Sequence, residues 1–157
     1  MTIKTTLLKV VTSIIDVFTF LFAVIFVLGL YSSISEHTVF FLQILTDIGL
    51  FSACLLIFGI SFYLFRIYKL IDQHNFFSQI ALHFVRTVRY LFIAISVALL
   101  LILPFIVYGV REAGAPGLLI IALAVVFLPT AIAAFISVME KILINSINFK
   151  DENELTI

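Results

Sequence analysis

The chain of 157 residues is long enough for one ordinary domain, but its composition is that of a membrane protein. Hydrophobic residues make up 64% and charged residues 11% of the sequence, whereas soluble domains are about half apolar and about a quarter charged. This balance excludes a water-soluble globule and an intrinsically disordered chain. The nine basic and nine acidic residues cancel, so no overall field attracts nucleic acid. Cys54 is the single cysteine, which excludes an intramolecular disulfide.

Four stretches without charges are long enough to cross the hydrocarbon core, which needs about 20 helical residues. These charge-free stretches are residues 17–35, 48–65, 90–110 and 113–139. The transmembrane helices predicted from them cover residues 10–31, 44–65, 90–110 and 117–139, so the first two start upstream and include Asp16 and Asp47. The segments between them are short, so sequential helices are expected to be antiparallel neighbours. The sequence therefore predicts an all-α integral membrane protein, an antiparallel four-helix bundle. Residues 1–147 form its single transmembrane domain, and residues 148–157 form a polar cytoplasmic tail.

The positions of lysine and arginine predict the orientation of the bundle, since basic residues accumulate on the cytoplasmic side. Eight of the nine fall on one side of the predicted spans: Lys4, Lys9, Arg66, Lys69, Arg86, Arg89, Lys141 and Lys150. Only Arg111 falls on the other side. Both termini are therefore predicted to be cytoplasmic.

An alternative for the first span is a cleavable signal peptide, because basic residues precede its apolar run. The run is rich in bulky phenylalanine and lacks an Ala-x-Ala site, which favours an uncleaved helix. The orientation of the other three spans is the same in both cases, so the charge pattern does not decide between them.

Small residues at four-residue spacing predict where the helices approach closely, since close packing drives association in lipid. The pairs are Gly49 with Ala53, Ala94 with Ala98, and Ala133 with Ser137. Pro129 near the middle of the fourth span and Pro104 near the outer end of the third are expected to bend their helices.

Asp16 is the candidate intramembrane ionisable residue, because a carboxylate within a span is costly. A functional role would be proton or cation binding, with Arg86, Arg89 or Lys141 as partners at the same depth. The alternative is structural, because a carboxylate near the amino end of a helix is favoured by the helix dipole and can reach headgroup water.

Two further acidic residues lie at the ends of predicted spans. Asp47 is expected to be solvated at the outer end of the second span, and Glu140 to mark the inner boundary of the fourth.

The segment between the second and third spans carries the residues that we call the basic collar: Arg66, Lys69, Arg86 and Arg89. Within it, residues 72–75 are polar and predict a turn, and Ser78 is a candidate cap for the next helix. Attraction to an anionic leaflet, about 1 kcal/mol per charge, explains such a collar without a protein partner. The alternative is a docking surface for a cytoplasmic protein.

The sequence contains no recognisable catalytic, cofactor-binding or metal-binding pattern. It lacks a zinc-protease helix, a serine elbow and a phosphate-binding glycine loop. We therefore expect a non-enzymatic protein without a cofactor.

Four short motifs resemble a family of uncharacterised bacterial four-span membrane proteins, a domain of unknown function often encoded beside a small helix-turn-helix regulator. They are the turn at residues 75–78 (Asn-Phe-Phe-Ser), Val-Arg at 85–86, Pro-Phe at 104–105 and the turn Ala-Gly-Ala-Pro-Gly at 113–117. The resemblance implies a multi-pass protein of the bacterial inner membrane and a regulatory partner, but no chemistry.

The leading hypothesis is a small regulatory or accessory protein that engages a cytoplasmic partner, such as a small transcription regulator, in addition to the lipid bilayer. An alternative is an oligomeric transporter or channel subunit coupled through Asp16. A third hypothesis is an immunity protein against a membrane-active toxin. None of the three involves direct contact with nucleic acid.

Overall fold

A computed structural model describes residues 2–35 and 40–154. The described chain is helical, with α1 (Thr2–Ser35), α2 (Phe41–Asp72), α3 (Gln79–Leu100), α4 (Leu103–Ala113) and α5 (Gly117–Glu154). All of these except α4 are long and apolar enough to cross a membrane. The all-α membrane fold with four spanning helices is thus confirmed.

The helices are longer than the predicted spans. α2 has 32 residues, which corresponds to about 48 Å at 1.5 Å per residue, whereas the hydrocarbon core is about 30 Å thick. One end of the molecule holds the start of α1, the turn between α2 and α3, and the end of α5. We call it the charged end, and its helices extend beyond the predicted hydrocarbon core.

The two prolines within the predicted spans have different effects on the chain. The predicted third span is divided into two helices, because α3 ends at Leu100 and Pro104 occupies the first turn of α4. Proline suits this position because the first turn leaves its N–H groups unpaired in any case. Pro129 lies inside α5, which continues to Glu154. Residues 148–154 of the predicted tail are therefore helical, and residues 155–157 lie outside the described part of the chain.

The long helices pack in chain order. α1 packs on α2, α2 on α3 and α3 on α5, while α4 contacts α5 and α2. A core between α2 and α3 contains the buried residues Ala53, Ile60, Ile67, Val88, Ile95 and Ala98. A second cluster lies at the charged end, where Ala81 and Leu82 of α3 meet Leu143 and Ile147 of α5.

Gly49 lies at a close approach of α2 to the end of α3. A Cβ atom built at Gly49 would lie 2.7 Å from the carbonyl oxygen of Ala98 and 3.0 Å from Cβ of Leu101. Only glycine fits this contact, because the obstructing atoms belong to backbone and to a Cβ that cannot rotate away. The small-residue spacing at Gly49 and Ala98 thus lies at a true helix contact, and Ala53 and Ala133 are also buried.

The turn between α2 and α3 forms where the sequence predicts it. α2 ends at Asp72, and His74 takes a left-handed conformation with φ of 57°. Ser78 is the N-cap of α3, and its hydroxyl accepts a hydrogen bond from the backbone N–H of Ala81 at 3.3 Å. The predicted cap is therefore confirmed.

Candidate functional site

Two arginines of the basic collar bind a single buried carboxylate. Arg86 Nε donates to Glu140 Oε1 at 2.9 Å, and Arg89 Nη1 lies 2.7 Å from Glu140 Oε2. The side chain of Glu140 is 8% exposed, against 47% for Arg86 and 22% for Arg89. We call these three residues the triad. It ties α3 to α5 and carries a formal net charge of one positive unit.

The triad changes the interpretation of Glu140. We expect it to mark the membrane boundary, and the structure adds that it is buried and paired with two arginines of α3. Arg86 and Arg89 are three residues apart and therefore share one face of α3. Two arginines three residues apart at one end of a span, and a glutamate at the same end of another span, are the sequence signal from which the triad could have been predicted.

The remaining collar residues differ in their surroundings. The guanidinium of Arg66 lies 4.6 Å from the ring centroid of Phe62 and 5.6 Å from that of Phe84. Such cation–π contacts stabilise a charge that lies against apolar surface. Lys69 is exposed in the last turn of α2. The structure thus brings Arg86 and Arg89 together, places Arg66 on aromatic rings, and leaves Lys69 facing outward.

A second set of polar contacts joins α1 to α2, and we call it the α1–α2 seam. Lys9 Nζ donates to Asp72 Oδ2 at 2.5 Å, and Thr5 also hydrogen-bonds Asp72. Further along α1, the hydroxyls of Thr12 and Tyr68 lie 3.0 Å apart.

The seam continues into the membrane at Asp16. Ser61 donates its hydroxyl hydrogen to Asp16 Oδ1 at 2.5 Å, and Ser61 itself is buried. For a role in proton or cation binding, the sequence offers Arg86, Arg89 or Lys141 as the partner of Asp16. The structure gives it a serine of the adjacent helix, because α1 packs on α2 and the two arginines are held by Glu140.

Asp47 is buried in α2, contrary to the expected solvation at the outer end of the span. The residue is 8% exposed, and among the described residues Oδ2 has no hydrogen-bond partner. Asp47, Cys54, Ser61 and Tyr68 follow one another at seven-residue spacing and are all buried. Residues at this spacing share one face of a helix, so this stripe continues the face of α2 that contacts α1 at Ser61 and Tyr68.

Comparison with known proteins gives a family but no chemistry. A family model described as "Protein of unknown function (DUF2975)" matches residues 41–157. The match begins at α2 and includes the whole of α3, α4 and the triad. No solved structure matches the chain.

A curated relative is also a membrane protein. The "Uncharacterized membrane protein YoaS" of Bacillus subtilis (strain 168) is 29% identical over 93 residues, which are 59% of this chain and 58% of the relative. The matched part is less than two thirds of the relative's length. Together with the four apolar helices, these findings confirm the resemblance seen in the sequence motifs. The chain belongs to the family of membrane proteins of unknown function defined by the DUF2975 domain.

Proposed function

We propose that this protein is a small, non-enzymatic regulatory or accessory membrane protein that docks a cytoplasmic protein on the turn between α2 and α3. The observation that carries the proposal is a pair of exposed apolar side chains at this turn. Phe77 is 53% exposed and Ile80 is 60% exposed. Asp72 lies seven residues, or about 10 Å, beyond the end of the predicted second span, so the turn sits outside the predicted hydrocarbon core.

The base of the turn is well packed, which suits a docking surface. Phe76 packs against both buried clusters, and its ring makes an edge contact with Phe77 at a centroid distance of 5.7 Å. The Ser78 cap fixes the start of α3. A rigid base lowers the entropy that is lost when a partner binds.

The surroundings of the pair favour a partner with an apolar pocket and an acidic rim. Lys69 and His74 are exposed on the same turn or just before it. An aromatic anchor surrounded by charge is a common arrangement at protein interfaces. The small helix-turn-helix regulator implied by the sequence resemblance is the partner we propose, in a cytoplasmic orientation predicted from the basic residues.

The test is recovery of crosslinked partners from native membranes with a tagged full chain. We expect the double variant Phe77→Ser and Ile80→Ser to lose the partner, and Lys69→Glu to weaken its recovery. Phe149→Ser is the matched control, since Phe149 is 65% exposed at the same end but lies on α5. Unchanged recovery with the double variant would overturn the proposal.

A second candidate function rests on the α1–α2 seam. Asp16 and Asp47 are carboxylates within spanning helices, on or beside the face where α1 meets α2. Intramembrane carboxylates often mark proton or cation pathways. For an oligomeric transporter or channel subunit coupled through Asp16, Asp16→Asn should abolish proton-coupled flux in vesicles, and an active Asn variant would eliminate this candidate.

A further inference from the structure

An open groove lies between α3 and α5 next to the triad. Its volume is 280 Å³, and its lining includes Arg89, Tyr90 and Ile93 of α3 and Ala133, Ala134 and Ser137 of α5. Tyr90 is 56% exposed and Ile93 is 41% exposed, so the groove faces outward. Among the described helices, α1 packs on α2 and makes few or no contacts with α3 and α5, so it does not cover this face.

One end of the groove is basic. Arg89 forms its rim, with its guanidinium held between Glu140 at 2.7 Å and the ring of Tyr90 at 4.7 Å from the centroid. The two arginines exceed the single carboxylate by one charge, and Arg86 is about half exposed. The triad therefore fixes Arg89 in place without neutralising the local charge.

The other end of the groove is lined mainly by apolar side chains; Thr130 also lies there and donates its hydroxyl hydrogen to Ser96 Oγ at 2.8 Å. Ala133 and Ala134 carry only a methyl group, so they leave a channel along α5 beside Ile93. Arg89 immediately precedes the predicted third span, and the apolar end runs from there toward the membrane centre. The order of charge and apolar surface along the groove matches the order of head group and acyl chain in a lipid.

We infer that this groove binds one anionic phospholipid of the cytoplasmic leaflet. The phosphate of the head group lies at Arg89, and the start of an acyl chain lies along Ile93, Ala133 and Ala134. Basic pockets between spanning helices on the cytoplasmic side are suited to such head groups. A free phosphate would use only the basic end, so the apolar end selects a lipid. The inference does not depend on the proposed docking partner.

The test is native mass spectrometry of the full chain after reconstitution with phosphatidylglycerol or phosphatidylcholine and stepwise removal of lipid. Ala134→Leu fills the apolar end without touching the triad. Ala131→Leu is the matched control, since it is an exposed alanine of the same helix outside the groove. We expect one phosphatidylglycerol per chain to persist in the parent and in Ala131→Leu, and retention to fall roughly fivefold or more in Ala134→Leu.

Two results on lipid retention would overturn the inference, and so would displacement of the lipid by a soluble phosphate. One is equal retention of phosphatidylglycerol and phosphatidylcholine, which would remove the role of the charge. The other is equal retention in the two alanine variants, which would remove the role of the groove. Soluble glycerol phosphate added in excess should not displace the lipid, and displacement would assign the site to the phosphate group alone. Loss of helical circular dichroism on heating at the same temperature in the parent and both alanine variants shows that the fold is intact.

Discussion

The α1–α2 seam and the core between α2 and α3 show two ways of joining helices within one membrane protein. The core is made of apolar and small side chains, and at Gly49 the backbones nearly touch. The seam is made of polar pairs, and Thr5 and Thr12 are the only buried residues among those described in α1. In lipid, apolar residues gain little by leaving the hydrocarbon, so the hydrogen bonds of the seam contribute much of what positions α1 against α2.

This comparison predicts that α1 separates from the rest of the protein more easily than α3 or α5 does. The family match begins after α1, at residue 41. Cys54 offers a native probe, because it is buried and lies on the stripe of α2 that includes Ser61 and Tyr68. Its reaction with a membrane-permeant maleimide reports opening of the seam, and loss of helical circular dichroism on heating reports unfolding of the core.

The largest effect is expected from Glu140→Gln, which removes the carboxylate that pairs with Arg86 and Arg89 across α3 and α5. The variant leaves two arginine charges side by side on α3, in a partly buried site and without the opposite charge of Glu140. We expect a loss of about 3 kcal/mol in the free energy of unfolding, the low end for removal of one partner from a buried ion pair, because Arg86 is half exposed. Glu112→Gln, an exposed change on α4, is the control. Equal melting temperatures for the two variants would show that the triad does not hold α5.

The next effect is expected from Gly49→Ala, which tests the close approach in the core. The new Cβ atom would clash with a backbone oxygen, so we expect the two helices to move apart at a cost of about 2 kcal/mol. Gly59→Ala is the matched control on the same helix, because its nearest contact would be Leu91 Cδ1 at 3.7 Å. A thermal melt should separate the two variants. Equal melting temperatures would contradict the contact at Gly49.

A smaller effect is expected from Ser61→Ala, which removes the hydrogen bond to Asp16. Interhelical hydrogen bonds in membranes contribute about 0.6 kcal/mol on average, so global stability should change little. Labelling of Cys54 should nevertheless become faster, because α1 is held by few such contacts. Ser52→Ala is the control, since Ser52 donates to the Gly49 carbonyl within its own helix. Unchanged labelling in Ser61→Ala would mean that other contacts hold α1.

The smallest effect is expected from Lys9→Gln, which removes the ion pair with Asp72 at the charged end. The side chains of Lys9 and Asp72 are 39% and 32% exposed, so water and salt screen their attraction. The parent and the variant should differ slightly in Cys54 labelling at low ionic strength and become equal at high salt. A difference that persists at high salt would indicate that the pair is shielded from solvent.

Part of this architecture could be predicted from local patterns. The four spanning helices, the polar turn and the Ser78 cap follow from charge-free lengths and from residue types at the start of a helix. The break near Pro104 was predicted as a bend only, because a proline in the first turn of a new helix and a proline in a bent helix have similar sequence surroundings. The solvation predicted for Asp47 is wrong, and the pairing of Glu140 with two arginines was not predicted, since the burial of a residue near a span end depends on the neighbouring helix.

The candidate site was predictable in its residues but not in its contacts. The basic collar was identified, yet Arg86 and Arg89 bind Glu140, which lies more than fifty residues away in the chain. Asp16 was identified as an ionisable residue within a span, but its partner is Ser61 of the adjacent helix. Residue spacing gives the face of one helix. It does not give the rotation and register of a second helix against that face.

The sequence by itself determined that the chain enters a membrane, how many helices are long enough to cross it, and where small residues allow close contact. These properties depend on hydropathy and side-chain size along a short stretch of chain. Only the tertiary structure decided that α1 lies at the end of the series of packed helices α1, α2, α3 and α5, that two arginines share one glutamate, and that a groove opens beside them. Those features depend on how helices distant in sequence are rotated and aligned, because a polar side chain in the membrane binds whichever polar group packing brings within reach.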